Sequence, residues 1–213
     1  MKNPPAPDNW TPDEERTLAA LDSPLRIQEF LDAIPYSTDP IYRSPRGVLR
    51  DRRAHCFDGA VFAAAALERL GHPPLVLDLR AVRDDDHVIA LFRRDGHWGA
   101  VAKSNCAGLR FREPIHRTLR ELALSYFEFY FNVESEKTLR SYSPAVDLRR
   151  WDVAGWRTDD TAMAAIADRL DAVRHYPLLS PAMIEALGAV DSRTYAAGML
   201  GADDAGLFRP ESR

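Results

Sequence analysis

The sequence predicts an α+β fold in which helices pack on a small antiparallel sheet, and three observations support this class. An alanine-rich apolar run from Ala60 to Leu70 has the length and composition of a buried helix. Residues 75–82 form a short apolar run, which is typical of a strand. Asp95-Gly96 then separates two further apolar runs, which is the strongest short signal for a β-hairpin.

The first elements are two capped helices that follow a short arm. Residues 1–10 are rich in proline and predict an extended arm. Thr11-Pro12-Asp13-Glu14 has the order of a capping box, so a helix is expected from Pro12. Ser23-Pro24 starts a second helix by the same logic, and Pro35 ends it. The polar stretch 36–53 predicts a long loop with one short helical turn, and such loops are often functional.

The centre of the chain predicts the sheet and the helix that packs on it. This helix begins at Cys56 and ends at Gly71, a residue type that is favoured just after a helix. The following elements are a strand over 75–82, a turn over 84–86, hairpin strands over 87–93 and 97–103, a further strand over 109–112 and a helix over 119–131. With the N-terminal helices they form a core over residues 11–132.

The character of the chain changes after Asn132, and residues 133–213 predict a helical extension packed on the core. Residues 159–176 form an alanine-rich amphipathic helix, and residues 181–187 form a shorter one. Loops are expected over 141–144 and 151–156, and the end of the chain from residue 201 is expected to fray.

Composition excludes several classes of protein. The chain has 213 residues and a net charge of −4, with no strongly basic face, so nucleic-acid binding is not expected. Its apolar runs are too short to span a membrane, and its first residues have no apolar signal core. Two cysteines do not make a disulfide framework, so we expect a reduced, cytoplasmic protein. The oligomeric state does not follow from the sequence.

Cys56, His87 and Asn105 occur in the order that a thiol nucleophile, its base and an orienting group require. A cysteine in the first turn of a helix lies near unpaired N–H groups and the positive end of the helix dipole, which favour the thiolate. An imidazolium close by favours it further, and Arg53 upstream adds positive potential.

The hairpin register brings the second and third of these residues together. Asn105 follows the second strand, so it is expected beside His87 at the start of the first strand. A hydrogen bond from Asn105 would fix the imidazole tautomer and leave the other nitrogen facing the thiol. Ser104 is a weaker substitute for the same role.

Three features occur together in this part of the chain: Cys56 at a helix start, Gly71-His72-Pro73-Pro74 before a strand, and Asp86-His87 leading a hairpin that contains Trp98. This combination resembles the transglutaminase-like (papain-like cysteine) superfamily. The resemblance covers about residues 23–112. It implies Cys56 as the nucleophile, His87 as its base, and Trp98 as the aromatic residue of the second strand. The pattern departs at Ala102, which stands where the family has its aspartate, with Asn105 three residues later.

The first functional hypothesis is therefore a thiol-dependent hydrolase or acyltransferase that acts on an amide or peptide bond through a thioester. Its substrate would be a peptide or small amide, with Trp98, Arg53 and Ser104 as binding residues. No cofactor or metal is expected, because a carboxylate run such as 84–86 in a turn is usually solvated.

The alternative is a catalytically inactive transglutaminase-like fold that serves as a binding module. A third hypothesis is a structural subunit that assembles through residues 159–176.

Each of these residues also has an ordinary structural interpretation. A lone cysteine is more often buried than catalytic, and a lone strand histidine is often a satisfied core residue. Asn105 is compatible with an ordinary turn position, and Cys106 with simple burial.

Overall fold

The N-terminal helices begin where their capping residues predict. The structure is a computed structural model that describes residues 10–210, so the predicted arm lies outside the described residues except for Trp10. Helix α1 (Pro12–Ala19) has both hydrogen bonds of the Thr11–Glu14 capping box. Helix α2 (Pro24–Ala33) is capped by Ser23, and α3 (Pro45–Asp51) is the short helix within the predicted loop.

Helix α4 (Cys56–Arg69) is the central helix of the fold. Its residues from Phe57 to Leu67 are all buried, because this helix packs against other elements around most of its circumference. Gly71 follows the helix with φ of +87°, the left-handed conformation that glycine adopts at little cost. Both predicted ends of this helix are therefore confirmed.

The hairpin is formed as predicted and lies in the middle of an antiparallel sheet. Strands β1 (Leu75–Ala81), β2 (His87–Arg94) and β3 (His97–Val101) are consecutive neighbours. Asp95 and Gly96 both have positive φ, as the two-residue hairpin turn requires. Strand β4 (Arg112–His116) begins three residues later than predicted, after a 3₁₀ turn at Ala107–Leu109.

The aromatic segment after Thr118 forms a shorter helix than expected. Helix α5 covers only Leu119–Leu124, and a 3₁₀ turn follows at Phe127–Phe129. Ser125 ends the helix because its hydroxyl donates to the Leu122 carbonyl, while its own carbonyl accepts from Arg112.

The C-terminal part contributes strands as well as helices. It contains β5 (Leu139–Tyr142), β6 (Val146–Asp147), α6 (Met163–Ala172), β7 (Tyr176–Pro177), α7 (Pro181–Glu185) and α8 (Ser192–Gly198). Residues 141–144 and 151–156 are therefore not simple loops, since the first begins within β5 and the second lies mostly in a 3₁₀ helix over Leu148–Ala154. The predicted purely helical extension is wrong in this respect.

Within residues 10–210 the sheet has seven strands, more than the small sheet that was predicted. Its order is β4-β3-β2-β1-β5-β7, and β6 also pairs with β1. One face, with Val88, Ala90 and Phe92 of β2, packs on α4 and the other N-terminal helices. The opposite face, with Ile89 and Leu91, packs on α5 and its aromatic neighbours. The α+β class is confirmed, with a helical layer on each face of the sheet.

Candidate functional site

Cys56 occupies the first position of α4, at the end of the helix that faces the start of β2. Its sulfur lies 3.7 Å from the backbone carbonyl oxygen of Asp86, to which the thiol donates a hydrogen bond. It lines a cleft of about 400 Å³ and also a smaller cavity of about 60 Å³ on its other side. Cys56 therefore borders both an open cleft and a smaller inner pocket.

The surroundings of Cys56 favour the protonated thiol. Burial raises the pKa of this thiol to about 12, and the carboxylate of Asp85 acts in the same direction. The backbone N–H groups of Val88 and Phe57 lower the pKa, but burial is the larger effect. Burial and the nearby carboxylates therefore favour the protonated thiol over the thiolate.

His87 lies on the opposite face of the sheet from α4. Its Nε2 atom is 2.8 Å from the carbonyl oxygen of Leu109, and its ring contacts those of Tyr126 and Tyr130. Burial lowers the pKa of His87 to about 4, so the ring is neutral and Nε2 donates to that carbonyl. His87 lines the same inner pocket as Cys56 and Asn105, so the structure brings the three predicted residues to one cavity. Within residues 10–210, however, no hydrogen bond joins His87 to Cys56, and the predicted thiol–imidazole pair is not formed. The reason is strand alternation, because Val88 and not His87 faces the helix.

Asn105 has a different partner from the one predicted. Its Nδ2 donates to the carbonyl oxygen of Asp203 at 2.8 Å, and its Oδ1 accepts from the N–H of Asp203 at 2.8 Å. Both polar atoms of the amide are therefore used by the C-terminal part of the chain. The prediction that Asn105 orients His87 is not met in this structure.

The three predicted binding residues are dispersed. Ser104 lines the inner pocket, where its hydroxyl accepts from the N–H of Cys106. Arg53 is exposed and forms an ion pair with Asp39, which lines the cleft. Trp98 packs beside Arg93 on the far part of the hairpin and lines neither cavity.

The loop before α4 forms one wall of the cleft and is held by a buried arginine. Arg43 donates to Ser37 at 3.1 Å and to Asp51 at 2.9 Å, and it also pairs with Asp39. Its backbone N–H donates to the fully buried carboxylate of Asp58 at 2.8 Å. Burial raises the pKa of Asp58 to about 7, against the stabilising effect of these donors. The predicted functional role of this loop is consistent with its position at the cleft.

A buried carboxylate–imidazole pair, missed in the sequence, lies beside the same cleft. Asp78 on β1 lines the cleft, and its Oδ2 atom is 2.8 Å from Nε2 of His175. The Nδ1 atom of His175 lies 2.9 Å from the carbonyl oxygen of Val173, so both ring nitrogens face acceptors. Burial raises the pKa of Asp78 to about 6. An aspartate within an otherwise apolar strand was the available signal, but its histidine partner is distant in sequence.

The cleft is acidic. The carboxylates of Asp39, Asp78, Asp85, Asp86 and Asp171 line it, together with the rings of Tyr36 and Tyr42. Among the described residues no group of three or more His, Cys, Asp or Glu side chains is arranged to hold a metal ion. None of the helices between residues 10 and 210 is long and apolar enough to cross a bilayer.

Comparison with known proteins does not assign this site. No protein-family model matches the chain, and no curated protein matches it either.

Proposed function

We propose that this chain is a peptide-binding module on a transglutaminase-like fold, in which the cleft thiol does not act as a nucleophile. The observation that carries this proposal is the orientation of two side chains. The thiol of Cys56 donates to the Asp86 carbonyl, while His87 donates to the Leu109 carbonyl on the other face of the sheet.

Catalysis by a cysteine requires the thiolate, and the thiolate requires compensation for its charge. Cys56 has two backbone N–H groups for this purpose but also the carboxylate of Asp85 nearby. The neutral imidazole of His87 supplies no charge. Ala102, at the family's aspartate position, is fully buried and supplies none either.

A peptide is the ligand class that the polar groups beside the cleft favour. The side-chain amide of Asn105 pairs with both backbone groups of Asp203, which is how a side chain holds a peptide unit independently of its sequence. Tyr36 lines the inner pocket with Asn105 and also the open cleft, where Tyr42 adds aromatic surface. Aromatic residues are enriched at protein interfaces.

Alkylation of Cys56 by iodoacetamide tests the proposal. In a Cys106→Ser background only Cys56 is labelled, and Cys56→Ser is the blank. We expect labelling slower than that of an ordinary thiol, whose pKa is about 8.5, because burial raises the pKa of Cys56, and we expect the same profile in His87→Ala. Fast labelling below pH 7 that His87→Ala abolishes would instead support the thiol hydrolase or acyltransferase.

The thiol enzyme remains the second candidate, and one observation favours it. Cys56 is the first residue of α4 and lines the cleft, and the Asp78–His175 pair lies beside that cleft. The same labelling profile in His175→Ala distinguishes this case. A low-pH reactivity that depends on His175 and not on His87 would assign the base to His175.

A further inference from the structure

The C-terminal segment of the chain lines both the cleft and the inner pocket. We call residues 203–208 the C-terminal strap. The amide of Asn105 holds its first residue through two hydrogen bonds of 2.8 Å. Among the described residues, its backbone–backbone hydrogen bonds run from Gly206 to Asp203 and from Leu207 to Asp204. The strap is thus a self-contained turn that is attached to the body of the protein through a side chain.

Gly206 is the point of closest approach between the strap and the site. A β-carbon at this position would lie 2.9 Å from Cδ1 of the Tyr36 ring and 2.9 Å from Nδ2 of Asn105. Tyr36 has little freedom to move away, because its largely buried hydroxyl lies near the backbone N–H of Cys56. The contact therefore accepts glycine and excludes larger residues.

The residues after this glycine lead to the thiol. Leu207 and Phe208 line both the open cleft and the inner pocket, and Cys56 lines both cavities as well. Phe208 is nevertheless 38% exposed, and most residues of the strap are exposed to solvent. A segment with little buried surface and few hydrogen bonds to the rest of the fold opens at low cost.

We propose that the surface formed by Tyr36 and Asn105, at the inner pocket beside Cys56, recognises a peptide turn that contains glycine followed by two apolar residues. The C-terminal strap occupies this surface as a built-in ligand, and a peptide of the same pattern displaces it. This inference rests on the proposed peptide-binding function, for which it names the ligand class and an internal competitor.

A protection experiment tests the proposal in the full chain with Cys106→Ser. Gly206→Val releases the strap but leaves Tyr36 and Asn105 intact, so labelling of Cys56 by a bulky maleimide should accelerate about tenfold or more. Gly188→Val is the matched control, because nothing lies within 4 Å of a β-carbon there. It should label like the parent protein.

The released variant is then given the acetylated hexapeptide amide Asp-Asp-Ala-Gly-Leu-Phe. This peptide should restore slow labelling, and the same peptide with valine in place of glycine should not. Adding Asn105→Ala to Gly206→Val should abolish the protection, because the two hydrogen bonds from the Asn105 amide are then missing. Fast labelling that neither peptide changes would overturn the proposal, as would equal labelling of Gly206→Val and the parent.

These outcomes are separate from those of the proposed function. A reactive Cys56 thiolate would contradict the inactive module, yet protection by the glycine peptide and its loss on Asn105→Ala would still be measurable. Conversely, slow labelling of Cys56 in the first test, combined with no protection by the glycine peptide in the second, would support the inactive module but contradict this ligand class.

Discussion

The orientation of His87 is the main reason why the structure lacks the thiol–imidazole pair that the sequence predicts. His87 has the expected position at the start of β2, but only alternate residues of a strand face one side of a sheet. Val88 faces α4, so the imidazole enters the second core beside Tyr126 and Tyr130. The order of residue types along the chain was readable from sequence, whereas the face of the strand was not. Alternation fixes which residues share a face, and the packing of α4 decides which face that is.

The buried His87 predicts a pH dependence of stability. Its pKa is lowered by burial to about 4, whereas the unfolded chain has the ordinary value near 6.5. Between these values the unfolded state binds a proton that the folded state does not, so stability falls as the pH falls from 6.5 towards 4. His87→Leu should remove about 2 kcal/mol of this loss, measured by urea unfolding at pH 7 and pH 4.5.

The comparison with wild type is necessary because other groups titrate in the same range. His55 acts in the same direction as His87, while the raised pKa values of Asp58, Asp78 and Asp84 act in the opposite one. His97→Gln, in the exposed part of the hairpin, is the matched control. An unchanged pH slope in His87→Leu would show that the imidazole is not buried in the neutral form.

At the scale of elements, a side chain of α2 continues the hydrogen bonding of β3. The amide of Gln28 donates to the carbonyl oxygen of Ala102 at 2.9 Å and accepts from its N–H at 3.0 Å. Lys103, the next residue, donates to the carbonyl oxygens of Leu31 and Ile34 at the end of the same helix. These contacts fix the chain just before Ser104 and Asn105, and they therefore hold in place the Asn105 amide that binds the C-terminal strap.

Gln28→Leu should destabilise the protein by about 2–4 kcal/mol, because it leaves two buried backbone groups of Ala102 without partners. The amide proton of Ala102 should also exchange faster with solvent. Glu29→Gln, on the exposed side of the same helix, is the control and should change the free energy of unfolding by less than about 0.5 kcal/mol. A small effect of Gln28→Leu would mean that water replaces the lost hydrogen bonds.

Elements with local signals were predictable, and those that depend on distant partners were not. The Thr11–Glu14 capping box, the Ser23 cap, the glycine after α4 and the Asp95-Gly96 turn are encoded within a few residues, and all of them are confirmed. Strands β5 and β7 are short, and each depends on a partner distant in sequence or itself formed late: β5 pairs with the edge of β1, and β7 pairs with β5. The Asp78–His175 pair has the same limitation, since its partners meet only in the completed fold. Asp191, which caps α8, was a local signal that was overlooked.

At the scale of the whole molecule, the sheet unites the two parts that the sequence separates at Asn132. Strand β1 pairs with β2 on one side and with β5 and β6 on the other. The C-terminal part therefore completes the sheet in addition to packing on the core. Such a shared sheet favours one cooperative unit over two autonomous ones.

A core substitution in the C-terminal part tests this unity. Leu139 of β5 is fully buried, so Leu139→Ala should cost about 2–5 kcal/mol and lower the protection of amides in β2 as well as in β5. Unfolding should remain a single transition by fluorescence and by circular dichroism. Leu200→Ala, at a residue that is 78% exposed, should have almost no effect. Two transitions would show that the parts fold separately.

The central place of β1 also has a consequence during protein synthesis. A nascent chain that has passed Val101 can already form α4 and the hairpin, but β1 then has an unpaired edge until Leu139–Tyr142 leave the ribosome. An open, apolar edge is the structure from which chains pair with one another. Translation beyond β5 is thus the step that ends this exposure, and we expect chains released before it to be more prone to aggregate.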